Sequence, residues 1–239
     1  MSDSDSPTPT APQVKAGAIL AFVVFILLLP GVLYLAAGTF RWPAAWLYHG
    51  LTAGGALLSR GVVALVHRDL LAERGQSRRA KDAKPYERLL LPLVGVVGPL
   101  AILIVCGLDK RWSWTPPLPG WVTPVAAAVF IAGYAFATWA MATNRFFSAV
   151  MRIQRERGHQ VATGGPYRIV RHPGYAGGTL AFAAIPFILG TLWGLAAVAG
   201  HAAAVVVRTA LEDRALQAEL PGYREYAERT RYRLLPGVW

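Results

Sequence analysis

The chain is dominated by long stretches of apolar residues that carry no charge. They run over 16–40, over 43–59 and, past Arg60, on to Val66, over 89–108 and over 121–143. Each is about 20 residues, enough for a helix rising 1.5 Å per residue to cross roughly 30 Å of hydrocarbon. Inside a bilayer the backbone must satisfy its own hydrogen bonds, so such stretches are helices. Two shorter apolar stretches, 175–190 and 192–207, meet at Gly190 and Thr191 with no charge between them and predict a tight helical hairpin. The expected fold is an all-α, polytopic membrane protein of four spans plus a C-terminal helical hairpin over 175–208. With 54% hydrophobic and only 15% charged residues, the chain lacks the polar surface of a soluble domain.

The first 13 residues are acidic and rich in Ser and Pro, and they lack the basic segment of a signal peptide. A disordered tail over 1–14, four transmembrane helices over 15–143 and a catalytic region over 144–239 are therefore expected. The net charge of +11 has a membrane explanation. Arg68, Arg74, Arg78, Arg79, Lys81, Lys84 and Arg88 fall between the second and third spans, and Arg145, Arg152, Arg155, Arg157, Arg168 and Arg171 follow the fourth. The opposite side has only Arg41, Lys110 and Arg111. By the positive-inside rule the N-terminus, the 67–88 loop, the 145–174 segment and the C-terminal tail are cytoplasmic. That distribution argues for an integral protein of a cytoplasmic, and by composition bacterial, membrane, and against a nucleic-acid partner. Trp42, Trp46 and Tyr48, with Trp112, Trp114 and Trp121, sit at span ends as an interface belt does. The lone Cys106 lies within a span, which leaves no cysteine metal cluster, and no metal site is expected. Gly164 and Gly165 lack the preceding strand and the lysine of a phosphate-binding loop.

Polar residues gather in two places. The first is 144–175, containing Asn144 to Ser148, the His159 to Tyr167 stretch with Val161, and Arg171-His172-Pro173-Gly174-Tyr175. Glycine and proline this dense between two membrane helices mean irregular backbone, which must be satisfied by water, protein or ligand. Pro173 fixes the entry into the next helix and holds Arg171 and His172 at its N-terminus, where unpaired N–H groups suit an anionic moiety. The second place is 208–226. Arg208 and Glu212 are four apart and share a helix face, with Asp213 beside them; the simplest reading is an exposed salt bridge, yet Arg208 is the first charge after a long apolar run, where an unpaired charge is costly. Tyr223, Tyr226 and the basic end at Arg229, Arg231 and Arg233 suggest a tail folded onto the interface, and contact with anionic lipid accounts for those arginines equally well.

The ordered set formed by the 163–167 turn, the Arg171-His172-Pro173 block with Tyr175, the short hairpin, Arg208 with Glu212 and Asp213, and the Tyr223/Tyr226 pair resembles the isoprenylcysteine carboxyl methyltransferase family. More broadly it resembles the membrane methyltransferases that include phospholipid N-methyltransferases. The resemblance covers roughly the last 100 residues. It implies methyl transfer from S-adenosylmethionine, which enters from the cytosol, to a lipophilic acceptor arriving through the bilayer. It also implies cofactor contacts at His159, Val161, Gly165, Tyr167, His172, Pro173, Tyr175 and Glu212, with Arg171 and Arg208 on the acceptor side and Arg171, Arg208 and Glu212 as the catalytic set. Asp213 stands where the family has a second glutamate, which leaves the division of roles between Glu212 and Asp213 open. A methyl on a sulfonium is already activated, so alignment and exclusion of water are the main requirements. Arg171 or Arg208 would hold a carboxylate acceptor, whereas Glu212 or His172 would serve as base for an amine or thiol. Two other readings compete: an NADPH-dependent membrane reductase of the sterol or enoyl type, with the Arg229 to Arg233 run on a 2′-phosphate, and a non-catalytic lipid-binding protein. Acceptor identity and oligomeric state are open.

Overall fold

The computed structural model describes residues 30–67, 70 and 84–239. The expected tail over 1–14 and most of the first expected span lie outside these residues. Among the described residues the chain is helical: a short segment at 30–37, then α1 (Pro43–Val66), α2 (Glu87–Trp112), α3 (Val122–Thr143), α4 (Pro173–Leu189), α5 (Gly194–Glu219) and α6 (Tyr223–Arg229). Helices α1, α2, α3 and α5 are long and apolar enough to cross a membrane, and α4 is a shorter apolar helix. The protein is a polytopic membrane protein of all-helical fold.

Local chemistry sets the helix ends. Pro43 and Pro173 each occupy the first turn, where the missing N–H would have no partner anyway. Within α2, Pro92 removes a donor and the helix widens into a π-turn over Leu93–Val97 before resuming at Gly98. Gly190 closes α4 with φ of 69°, a left-handed conformation open to glycine at little cost. Leu220, extended before Pro221, stops α5.

The hairpin is larger than the sequence alone suggests. Its return arm, α5, has 26 residues, so it crosses the apolar layer and continues beyond it as the scaffold for Arg208, Glu212 and Asp213. Its tip is fixed at the far end of α2, where Asp109 accepts from the Trp193 N–H at 3.1 Å and Thr115 Oγ1 from the Leu192 N–H at 2.9 Å. Thus α4 and α5 extend the full height of the bundle. At the opposite end, His67 Nε2 lies 3.0 Å from the Ala142 carbonyl, and Lys84 pairs with Glu219.

Between α3 and α4 the two backbones touch. A Cβ on Gly177 would lie 2.4 Å from the Gly133 carbonyl oxygen, and one on Gly133 would lie 2.6 Å from the Gly177 oxygen. Small residues that let helices approach this closely are a common device of membrane packing. The seam fixes α4 rigidly against α3, and with it the Arg171-His172 pair at the α4 entry. The main apolar core, including Leu33, Ile102, Leu103, Phe130, Ile185 and Ile188, lies away from the polar end.

Candidate active site

The polar end contains a cavity of about 320 Å³ between the 144–175 segment and the C-terminal part of α5. His159, Val161, Tyr167, Arg171 and His172 line it, as do Pro173, Tyr175, Arg208 and Glu212. The expected residues therefore converge, with one exception. Gly165 is not in the wall; its φ is +52°, and a Cβ there would come 2.9 Å from Thr143 Oγ1 and 3.1 Å from Trp139 Nε1. It shapes the turn that delivers Tyr167 instead.

Asp213 and Glu212, adjacent on α5, have separate environments. Asp213 is fully buried and takes Arg171 through Oδ1 at 2.7 Å and Oδ2 at 3.0 Å. It also accepts from Arg233 Nε at 2.9 Å, Gln217 Nε2 at 2.8 Å and Tyr223 Oη at 3.0 Å, and lies 3.2 Å from His172 Nε2. Glu212 faces the cavity and accepts a hydrogen bond from Tyr175 Oη at 2.8 Å, with His172 Nδ1 at 3.9 Å. The carboxylate available to a ligand is Glu212, and Asp213 is the clamp.

Arg171 is committed to that clamp. Besides Asp213, its Nη1 donates to the carbonyls of Thr230 at 3.0 Å and Arg231 at 2.9 Å, and backbone bonds run from the Arg171 N–H to Tyr232 and from the His172 N–H to Arg233. These contacts fold the C-terminal tail over the site. Four of its five N–H donors are thereby engaged in anchoring the tail, and one N–H on Nη2 is left over.

The 208/212 pairing is not the one that helical spacing suggests. Arg208 pairs with Glu87 at the start of α2, Nε to Oε1 at 3.1 Å and Nη2 to Oε2 at 2.6 Å, and Nη2 also donates to the Ala149 carbonyl. Its guanidinium lies 5.5 Å from the Tyr175 ring centroid. Among the described residues no group accepts from Nη1 of Arg208. Glu87, 3% exposed, has only one signal in the sequence, its place as the last acid before the apolar run that starts at Leu89.

Aromatic rings complete the wall. His159 stacks on Phe146 at 4.7 Å, with Arg157 at 5.6 Å from the Phe146 centroid, and its Nδ1 accepts from the Gln154 N–H. Burial, reinforced by Arg152 and Arg157, lowers the His159 pKa to about 4, so the ring is neutral at physiological pH. Tyr167 accepts from Asn144 Nδ2 at 3.2 Å, and burial raises its pKa. Burial, followed by the charge of Asp213, raises that of Tyr223 too. Ser148, another cavity-lining residue, has a buried Oγ with no hydrogen-bond partner among the described residues. Such an atom calls for a polar ligand.

Residues 121–220 match the family model of the phospholipid methyltransferases. The matched segment contains α3, the 144–172 segment, both hairpin helices and Glu212. Isoprenylcysteine carboxyl methyltransferase-like membrane enzymes fall within the same family, so the resemblance read from the motifs holds. The match supports a membrane methyltransferase, and the cavity lies almost wholly within the matched segment, with α2 and α6 completing it. No curated protein matches the chain.

Proposed function

We propose that the protein transfers a methyl group from S-adenosylmethionine to a lipophilic acceptor, a carboxylate, amine or thiol, at the cytoplasmic face of the membrane. The observation that carries this reading is Glu212, a carboxylate held by Tyr175 Oη at 2.8 Å and facing a 320 Å³ cavity built largely by the segment that matches the family model. The volume falls in the range of small-ligand sites. The donor set suits the cofactor, because Glu212 attracts a cation, the unpartnered Ser148 Oγ offers a polar contact, and Phe146, His159 and Tyr167 supply faces for an aromatic base and a sulfonium. When bound, S-adenosylmethionine supplies an electrophilic methyl group.

The protein's own groups then have distinct tasks. Arg208 keeps Nη1 for an oxygen of the acceptor while Glu87 neutralises and orients its other edge. Asp213 accepts from His172 Nε2, which leaves Nδ1 with the lone pair. Nδ1 is thereby placed to take a proton from an amine or thiol acceptor; a carboxylate acceptor needs no base. Arg171 is a positioning residue that secures the tail and excludes water. The cytoplasmic orientation rests on the excess of Lys and Arg in the 67–88 and 145–174 segments.

The test is an incubation of purified protein with S-adenosylmethionine labelled in the methyl group and a total lipid extract, followed by mass identification of the labelled product. Label in a lipophilic product, lost in Glu212→Gln, is expected. Label confined to water-soluble products contradicts the lipophilic acceptor.

A further inference from the structure

A second concavity, of about 570 Å³, lies on the outer side of the α5 extension and shares no lining residue with the first. It is lined by Ala210, Arg214, Gln217, Ala218, Arg224, Arg233 and Trp239. Three arginines line one hollow, and no Asp or Glu side chain does. Arg214 and Arg224 are exposed and have no ion-pair partner among the described residues. Arg233 does reach Asp213, but that carboxylate also neutralises Arg171. One negative charge is thus shared by two arginines, which leaves the side chains of the hollow with an excess of positive charge.

Three elements converge to build it. Arg214 comes from α5, on the face shared by Ala210, Gln217 and Ala218 at helical spacing. Arg224 comes from α6 and is fixed by donation from Nε to the Gln217 carbonyl at 2.9 Å. Arg233 comes from the tail, its guanidinium 5.0 Å from the Trp239 ring centroid. The carbonyl oxygen of Trp239 in turn accepts from the N–H groups of Arg233, Leu234 and Leu235, so the tail holds a defined turn here. Like charges are held together at a cost unless an anion joins them. A carboxylate is matched by a single planar guanidinium fork, whereas three forks from three directions suit a tetrahedral anion with several oxygens.

We infer that the Arg214, Arg224, Arg233 and Trp239 hollow binds a phosphate group, either that of an anionic lipid headgroup or that of a soluble phosphate. Gln217 and Arg233 both also contact Asp213, so the site adjoins the clamp that closes the first cavity without being part of it.

Calorimetric titration of the full chain in neutral detergent tests this, with inorganic phosphate in one arm and dihexanoyl phosphatidic acid in the other. Saturable binding is expected, weakened at least tenfold in the Arg214→Gln/Arg224→Gln double variant and reduced by added salt. Binding in both arms supports the site and makes phosphate itself sufficient; binding of the lipid alone assigns the source to a headgroup, and of phosphate alone to a soluble ligand. Saturating S-adenosylhomocysteine should leave either isotherm unchanged. Absence of saturation in both arms, equal affinity in the double variant, or competition by S-adenosylhomocysteine overturns the inference. Should the double variant elute aggregated, Arg214→Gln and Arg224→Gln singly, both at exposed positions, serve the same comparison with a threefold loss expected from each.

Discussion

Arg208 and Glu87, 121 positions apart in sequence, form a buried two-pronged ion pair at 2.6 and 3.1 Å that joins α5 to the first turn of α2. A buried pair of this kind contributes less to stability than it costs to break, because removing one partner strands the other charge. Glu87→Ala should therefore destabilise the protein by about 3 to 5 kcal/mol. The double variant Glu87→Leu/Arg208→Met should recover much of that loss while lacking methyl transfer. Denaturant unfolding in detergent checks both, and an additive double variant contradicts the pairing.

The two neighbouring carboxylates should respond in opposite ways. Glu212→Gln should keep the fold within about 1 kcal/mol, since the residue is partly exposed and has one hydroxyl partner, but should lose cofactor affinity tenfold or more. Asp213→Asn strands Arg171 and loosens Arg233, so it should destabilise the tail by about 3 kcal/mol or more. Limited proteolysis of the C-terminus alongside titration with S-adenosylhomocysteine separates the two effects. Equal proteolytic sensitivity in both variants would contradict the division of roles.

The pH dependence follows from His159. Its pKa is about 4 in the folded protein, against about 6.5 for an unperturbed imidazole. A lowered pKa means that the folded state favours the neutral ring. The contribution of this residue is complete above pH 6.5 and is lost as pH falls towards 4. Unfolding midpoints measured between pH 7.5 and 4 should fall over that window, and His159→Phe should flatten the part of the slope due to this ring. An identical slope in the variant would assign the acid sensitivity to other groups.

The close seam between α3 and α4 makes a further prediction. Gly177→Val places a branched side chain where a Cβ alone would lie 2.4 Å from the Gly133 carbonyl oxygen and 2.7 Å from the Ala137 nitrogen. Helix separation should cost about 2 kcal/mol or more. Methyl transfer should fall with it, because α4 carries Tyr175 and is capped by His172. Gly178→Ala, next to it but with open space at the Cβ position, should be near neutral. Thermal unfolding of the two variants gives the comparison.

What the sequence reveals is governed by how local each signal is. Apolar runs report helices directly, so α1, α2 and α3 are legible from hydropathy, and the Arg171 to Tyr175 block is legible because Pro173 dictates its own backbone. The length of α5 is obscured because its charges begin at Arg208, where an apolar run ends but the helix does not. Helical spacing correctly puts Arg208 and Glu212 on one face, yet the partner of Arg208 is Glu87, and nothing local connects positions 121 apart in sequence. The same holds for Asp213, whose partners Arg171, Tyr223 and Arg233 come from three segments. Gly165 illustrates the converse. Its place in a family motif suggests contact with the cofactor, while its positive φ and its neighbours Thr143 and Trp139 assign it a structural task.

The central claim is that the cavity faced by Glu212 binds S-adenosylmethionine. Isothermal titration of the purified chain in detergent with S-adenosylhomocysteine and, separately, with NADPH addresses it most directly. Saturable binding of S-adenosylhomocysteine, weakened at least tenfold in Glu212→Gln, with no binding of NADPH, is the predicted result. Binding of NADPH without S-adenosylhomocysteine would contradict the account.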